Sequence, residues 1–127
     1  MNDVAENMRS VCRFYADDNL LQQCSDNIHV MEDNLNYDLK VLYKWSKKWL
    51  LQFNPQKTKA VFFSLKNVEK FPELFFGDCT LDYVSQHKHL GVLLSSNLGW
   101  SDHIDNIVKK AYKKFGLLKK TLIYCFQ

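Results

Sequence analysis

Apolar residues along this chain follow two periods, and the switches between them mark out its elements. Val11–Tyr15 and Asn19–Cys24 have strand-like composition and flank Ala16–Asn19, whose residues favour turns, so a β-hairpin is expected there. From Asp26 the period becomes helical. Ile28, Met31, Leu35, Leu39, Leu42 and Trp49 fall on one stripe at steps of three and four, with a longer step of seven past Trp45. Ser25 or Asp26 is placed to cap this helix, and Pro55 predicts its end near Gln52 by forcing Asn54 out of helical geometry.

Thr58–Ser64 is rich in β-formers and predicts a strand, followed by a charged loop over Lys66–Pro72. Leu74–Phe76 and Thr80–Val84 flank Gly77-Asp78-Cys79 as two short strands about a turn. His87–Leu94 reads as one further strand with Leu90, Val92 and Leu94 on one face. A last helix is expected from about Asp102, capped by Ser101, with a core stripe of Ile104, Ile107, Val108, Ala111, Phe115, Leu118 and Leu122. The fold class predicted is α+β: short antiparallel strands, a palm-like hairpin and a small sheet, packed by two long amphipathic helices.

Composition narrows the class. A hydrophobic content of 46% with 24% charged residues over 127 positions fits one globular domain or a piece of one, and disfavours disorder. No apolar run approaches the roughly 18 residues of a membrane span, so no membrane partner is expected. The polar, acidic start MNDVAENMRS does not resemble a secretory signal. The four dispersed cysteines, Cys12, Cys24, Cys79 and Cys125, then read as reduced thiols of an intracellular protein, nuclear or cytoplasmic. His87, His89 and Cys79 lack the second ligand pair a zinc site needs, so polar strand residues are the better account of them.

Charge changes the picture more. Residues 1–40 hold eight acids against Arg9, Arg13 and Lys40, a net of −5, whereas residues 41–127 hold fourteen lysines against six acids, a net of +8. Such asymmetry suits a cation near the front and a polyanion near the rear. Three stretches carry the candidate chemistry. Asp17-Asp18 at a hairpin tip could supply carboxylate oxygens to Mg2+, or could be a solvated turn, the commoner reading of two acids alone. Lys57 and Lys59 could face phosphates or simply solubilise a strand edge. Lys109, Lys110, Lys113, Lys114, Lys119 and Lys120 crowd the final helix with no acid after Asp105, which tilts that face toward polyanion contact over plain solvation.

Order and spacing are more specific than any single stretch. The chain runs Phe14-Tyr15-Ala16-Asp17-Asp18, then a long helix ending Trp45-x3-Trp49-Leu50-Leu51-x-Phe53-Asn54-Pro55-x-Lys57-Thr58-Lys59. An apolar strand follows, then His87-Lys88-His89-Leu90-Gly91-Val92 and Leu98-Gly99-Trp100-x-x-His103-Ile104. This series resembles the C-terminal half of the reverse transcriptase of non-LTR (LINE-type, jockey-like) retrotransposons, from Asn2-Asp3 to about Thr121.

The resemblance implies roles. Asp17 would bind catalytic Mg2+ in the palm's x-A-D-D hairpin, with Asp18 beside it in a lesser part. Lys57 would correspond to the lysine that protonates leaving pyrophosphate. His89, Leu90 and Gly91 would match the motif that holds the primer strand, Gly91 allowing close backbone approach. The basic helix, with Lys109, Lys110, Lys113 and Lys114, would contact nucleic-acid backbone. Residues 1–97 are then expected to be a partial palm, and 98–127 a thumb-like or connecting region.

Departures from the family pattern carry equal weight. A polymerase palm needs another aspartate on a separate strand, a nucleotide-positioning motif and fingers. Only Asp3 and Glu6 offer carboxylates before Tyr15. The expectation is a fragment of an RNA-directed DNA polymerase that is inactive alone, with weak or absent Mg2+ binding. Its partners would be an RNA or DNA template-primer and a complementing polymerase chain. The alternative is a non-specific RNA- or DNA-binding module using the basic helix.

Overall fold

The computed structural model describes residues 4, 7–15 and 18–125. Its elements run β1 (Val11–Tyr15), β2 (Asp18–Gln22), α1 (Ile28–Lys48), β3 (Lys59–Ala60), β4 (Phe75–Phe76), β5 (Cys79–Thr80), β6 (Asp82–Tyr83), β7 (Gln86–His89), β8 (Val92–Ser95) and α2 (Ser101–Cys125). The class is α+β, with the strands paired two by two in four small ladders.

The predicted first hairpin forms. β1 and β2 pair antiparallel from Val11↔Gln22 to Tyr15↔Asp18. Alternation along β1 turns Cys12 and Phe14 inward and leaves Val11, Arg13 and Tyr15 exposed. Phe14 and, on the other strand, Leu21 pack against the core.

Helix α1 starts later and ends earlier than the sequence suggests. Asn27, not Ser25 or Asp26, is the cap: its backbone is extended and its Oδ1 accepts the N–H of His29 at 2.9 Å. Ser25 instead accepts the N–H of Asn27 at 3.1 Å, forming the turn that leads in. At the far end the helix stops at Lys48, before Pro55 can act. Leu50 takes φ 55°, Leu51 N–H donates to Ser46 O at 2.9 Å, and Leu50 N–H reaches Lys47 O at 3.4 Å. This is the Schellman stop, with a leucine in the left-handed position that glycine usually fills.

The buried face of α1 builds the core. Leu39, Leu42 and Trp45 cluster with Leu74, Phe76, Leu81 and Val4. Phe76 receives the rings of Tyr43 and Phe53 edge-on, at centroid separations of 5.5 and 5.7 Å. Trp49, expected on the same stripe, is the C-cap and is exposed. Polar side chains of α1 also hold the segment entering β4. Asn36 donates to Glu73 O at 2.7 Å and accepts from Phe75 N–H at 2.9 Å, while Glu32 accepts from Glu73 N–H at 3.0 Å.

Two strand expectations need correction. Only Lys59 and Ala60 of Thr58–Ser64 form a strand, pairing in parallel with Asp82 and Tyr83. A strand exists only where a partner is in reach, and the β6 partner is two residues long. His87–Leu94 is not one strand but a hairpin, β7–β8, with register Gln86↔Ser95 to His89↔Val92. Leu90 (φ 47°) and Gly91 (φ 87°) form its two-residue turn, and positive φ at both central positions is the type I′ arrangement that matches strand twist. A turn therefore interrupts the face on which Leu90, Val92 and Leu94 were expected together.

The turn expected at Gly77-Asp78 forms, but Cys79 belongs to β5 rather than to the turn, and of Thr80–Val84 only Thr80 pairs with β4 while Asp82 and Tyr83 pair with β3. Phe76↔Cys79 closes a turn at Gly77-Asp78, with Gly77 at φ 63°. A Cβ on Gly77 would lie 2.7 Å from the Tyr43 ring, so both space and backbone conformation demand glycine.

Helix α2 begins at Ser101, as expected, but its stripe is not core. Ile104, Ile107, Val108, Phe115, Leu118 and Leu122 are between 43% and 67% exposed. The helix meets β8 only at its start, where Leu93 N–H donates to His103 Nδ1 at 3.1 Å. Periodicity identified an apolar face correctly, but within the described residues nothing covers it. No helix of the described residues is long and apolar enough to cross a membrane.

Candidate active site

The hairpin tip comes first. Tyr15 pairs with Asp18, the last register pair before the connecting positions 16 and 17. Asp18 opens β2 with an exposed side chain, and Tyr15 is 68% exposed. Asp17, the acid given the leading role by the sequence, lies outside the described residues.

What fixes this hairpin is a residue the motif reading missed. Asp38 of α1 is fully buried, and its two carboxylate oxygens accept the N–H groups of Arg9 (2.9 Å) and Ser10 (2.7 Å), just before β1. A buried carboxylate is tolerated when charge-assisted bonds replace its water, and two backbone donors do so here. Arg9 also stacks its guanidinium 4.1 Å from the centroid of the Tyr37 ring. The sequence did hold a signal: Asp38 is an acid within the apolar stripe, three residues after Leu35 and four before Leu42.

Asp38 also acts on Cys12. Burial raises the Cys12 thiol above its ordinary pKa, and the Asp38 charge raises it further. This thiol is thereby a poor nucleophile. Cys12, Cys24 and Cys79 are free.

Lys57 closes a tight turn after α1. Its N–H donates to Asn54 O at 3.1 Å, Gln56 N–H to Asn54 Oδ1 at 3.0 Å, and the Thr58 N–H and hydroxyl both to Asn54 O. Asn54 thus gathers the Asn54–Thr58 motif around itself and sets the Lys57 backbone at the entrance to β3, its side chain exposed. Lys59, by contrast, is engaged with Asp82 at 2.7 Å.

His89, Leu90 and Gly91 sit at and before the β7–β8 turn. His89 is half-buried, and Leu90 and Gly91 are exposed. Gly91 has nothing within 4 Å of a Cβ position, so its requirement here is positive φ rather than close approach. The Leu98–Ile104 motif becomes intelligible at this point. His103 accepts from β8 and meets Trp100 at 6.0 Å between ring centroids, and Gln86 of β7 donates to Asp102. Lys109, Lys110, Lys113, Lys114, Lys119 and Lys120 are all exposed along α2.

Hard carboxylate oxygens suit Mg2+ chemically. Among the described residues, however, no three acidic, histidine or cysteine side chains gather in a way that could hold a metal ion.

Burial also lifts the Tyr83 phenol to about 12, with the Glu32 charge adding to the shift, and its hydroxyl donates to Pro72 O at 2.7 Å. That bond belongs to packing, since Pro72 is fully buried.

No family model matches this chain, and no solved structure matches it. The chain is similar, at 29% identity over 117 residues, to the "Probable RNA-directed DNA polymerase from transposon BS" of Drosophila melanogaster. The match covers 91% of this chain and 13% of that protein, so the chain spans a small part of its relative's length. Modest homology to a transposon RNA-directed DNA polymerase is thereby established.

Proposed function

We propose that this chain is a reverse-transcriptase-like segment of the non-LTR, jockey-like type: the later part of a palm over residues 1–97 and a thumb-like or connecting helix over 98–127. The observation that carries the reading is the β1–β2 hairpin, whose strands join through Ala16-Asp17 with Asp18 at the start of β2. Similarity to the transposon polymerase supports it across nearly the whole chain. In this reading Asp17, with Asp18 beside it, contributes oxygens to catalytic Mg2+, and Lys57 protonates the leaving pyrophosphate. The His89–Gly91 turn meets the primer strand. The 127-residue chain alone supplies only part of the metal site and is inactive without a complementing polymerase chain or segment.

Mn2+ in place of Mg2+ offers a direct test. Titrated into the isotope-labelled chain, it should broaden the amide signals of Tyr15 and Asp18 before others, weakly and without primer extension on a primed RNA template. Asp17→Asn should remove the selective broadening. Uniform broadening, or template-directed extension that Asp17→Ala abolishes, would defeat the reading in its first or last part respectively.

A second reading, non-specific RNA or DNA binding, is favoured by the six exposed lysines of α2. Its affinity should fall steeply between low and physiological salt, as phosphate contacts release counterions. Salt-insensitive binding would exclude it.

A further inference from the structure

Helix α2 presents its apolar residues at a period the packing of a single chain does not explain. Ile104, Val108, Ala111, Phe115, Leu118 and Leu122 follow one another at steps of four, three, four, three and four. These six keep a 3.5-residue repeat, the spacing of a coiled-coil seam, while the exposed Ile107 lies on its flank and Leu117 and Ile123 on the outer face. The side of α2 that touches the body is the other one. His103 and Asn106 are partly buried there, and Asn106 lies roughly 170° around the helix from the seam. The seam points away from the fold, with Phe115 67% exposed.

We infer that a second copy of this chain covers the seam, the two α2 helices pairing antiparallel about a two-fold axis near Lys113. Opposed copies in this register place Ile104 against Leu122, Val108 against Leu118, and Ala111 against Phe115 of the second chain. Each large phenyl ring then meets a small methyl group on both sides of the axis, the alternation that lets facing side chains interdigitate. A parallel pair would instead stack Phe115 on Phe115 and Ala111 on Ala111, crowding one layer and emptying the next.

Charge selects the same arrangement. On one flank of the antiparallel seam Asp105 faces Lys119 of the second copy, twice by symmetry, and Tyr112 faces Tyr112. The other flank holds one like-charge pair, Lys114 with Lys114. In a parallel pair Lys114 would face Lys119 on both flanks, with no attraction to offset it. Lys109, Lys110, Lys113 and Lys120 remain on the outer faces in the antiparallel dimer. The inference is independent of the polymerase reading and compatible with it.

Sedimentation equilibrium on the 127-residue chain tests it, since the chain should pass from monomer to dimer with rising concentration. Phe115→Asp, at an exposed site, should leave the near-ultraviolet circular dichroism of the body intact and abolish the dimer. Asp105→Lys should raise the dimer dissociation constant about tenfold, and adding Lys119→Asp should restore it. Ala111→Phe should weaken the dimer, and adding Phe115→Ala should recover it. A chain that stays monomeric at ~100 μM, a dimer indifferent to Phe115→Asp, or failure of both paired rescues would overturn the proposal. So would an equal loss of affinity for a single-stranded RNA oligonucleotide in Phe115→Asp, which would assign the seam to nucleic acid.

Discussion

The carboxylate of Asp38, in the middle of α1, accepts the backbone N–H of Ser10 at 2.7 Å, across 28 residues of sequence. With the neighbouring bond to Arg9 it fixes where β1 begins, and hence where the hairpin tip at residues 15–18 comes to lie. Asp38→Ala should cost about 2–4 kcal/mol in urea unfolding, because two backbone donors lose charge-assisted acceptors in a buried place. Asp38→Asn keeps one acceptor oxygen and should recover part of that loss. Equal stability of the alanine variant and the parent would refute the assignment.

Thiol reactivity gives a second check on the same contact. Cys24 and Cys79 are exposed, whereas Cys12 is half-buried and its ionisation is suppressed by burial and by Asp38. With a disulfide reagent at neutral pH, Cys12 should react more slowly than Cys24 and Cys79. Peptide mapping of the modified chain reads the order directly.

Gly77 should tolerate no side chain. Alanine there meets both the left-handed φ of 63° and the Tyr43 ring, so Gly77→Ala should destabilise by about 1–3 kcal/mol. Gly116, an α2 glycine with open space around it, is the control: Gly116→Ala should be neutral or stabilising by up to about 1 kcal/mol.

Leu50 makes the opposite prediction. It is 90% exposed and held at φ 55° to end α1, so the leucine side chain packs little while its backbone is strained. Leu50→Gly should raise stability by about 0.5–1 kcal/mol, visible as a higher denaturant midpoint at unchanged slope.

Alkaline pH should reveal Tyr83. Its folded pKa of about 12 lies above the ordinary tyrosine value of 10.0, so the folded state holds its proton where the unfolded state has lost it. The associated stability is full below pH 10 and is lost as pH rises toward 12. Because the ring is only partly buried, the effect should be on the order of 1 kcal/mol. Comparing Tyr83→Phe with the parent over that window isolates it: the variant should show the shallower decline.

Legibility in the sequence followed the range of the interactions. The β1–β2 hairpin, the helical stripe through Leu39 and Leu42 and the Gly77-Asp78 turn are local patterns, and each was readable. Leu90 concealed the β7–β8 turn because an apolar residue continues strand alternation, while its positive φ leaves no mark in composition. Thr58–Ser64 read as a full strand because propensity does not tell how long a partner is available. The α2 stripe was legible as apolar but not as uncovered, since a period says nothing of what lies against it. For the candidate site, the spacing of motifs put forward Asp18, Lys57, His89, Leu90 and Gly91, but not the turn on which the last two sit. Asp38 and His103 took their meaning from backbone partners on other elements, which a linear reading does not pair.

Asn36 and Asp38 stand two residues apart on α1, so their side chains leave the helix about 160° apart. One grips the segment entering β4 and the other the segment entering β1. The two hairpins are thereby anchored to opposite sides of a single helical turn, so loss of that turn releases both. Amide protons of β1 and of β4 should accordingly exchange with solvent in one cooperative opening rather than two, although among the described residues no strand pairs them.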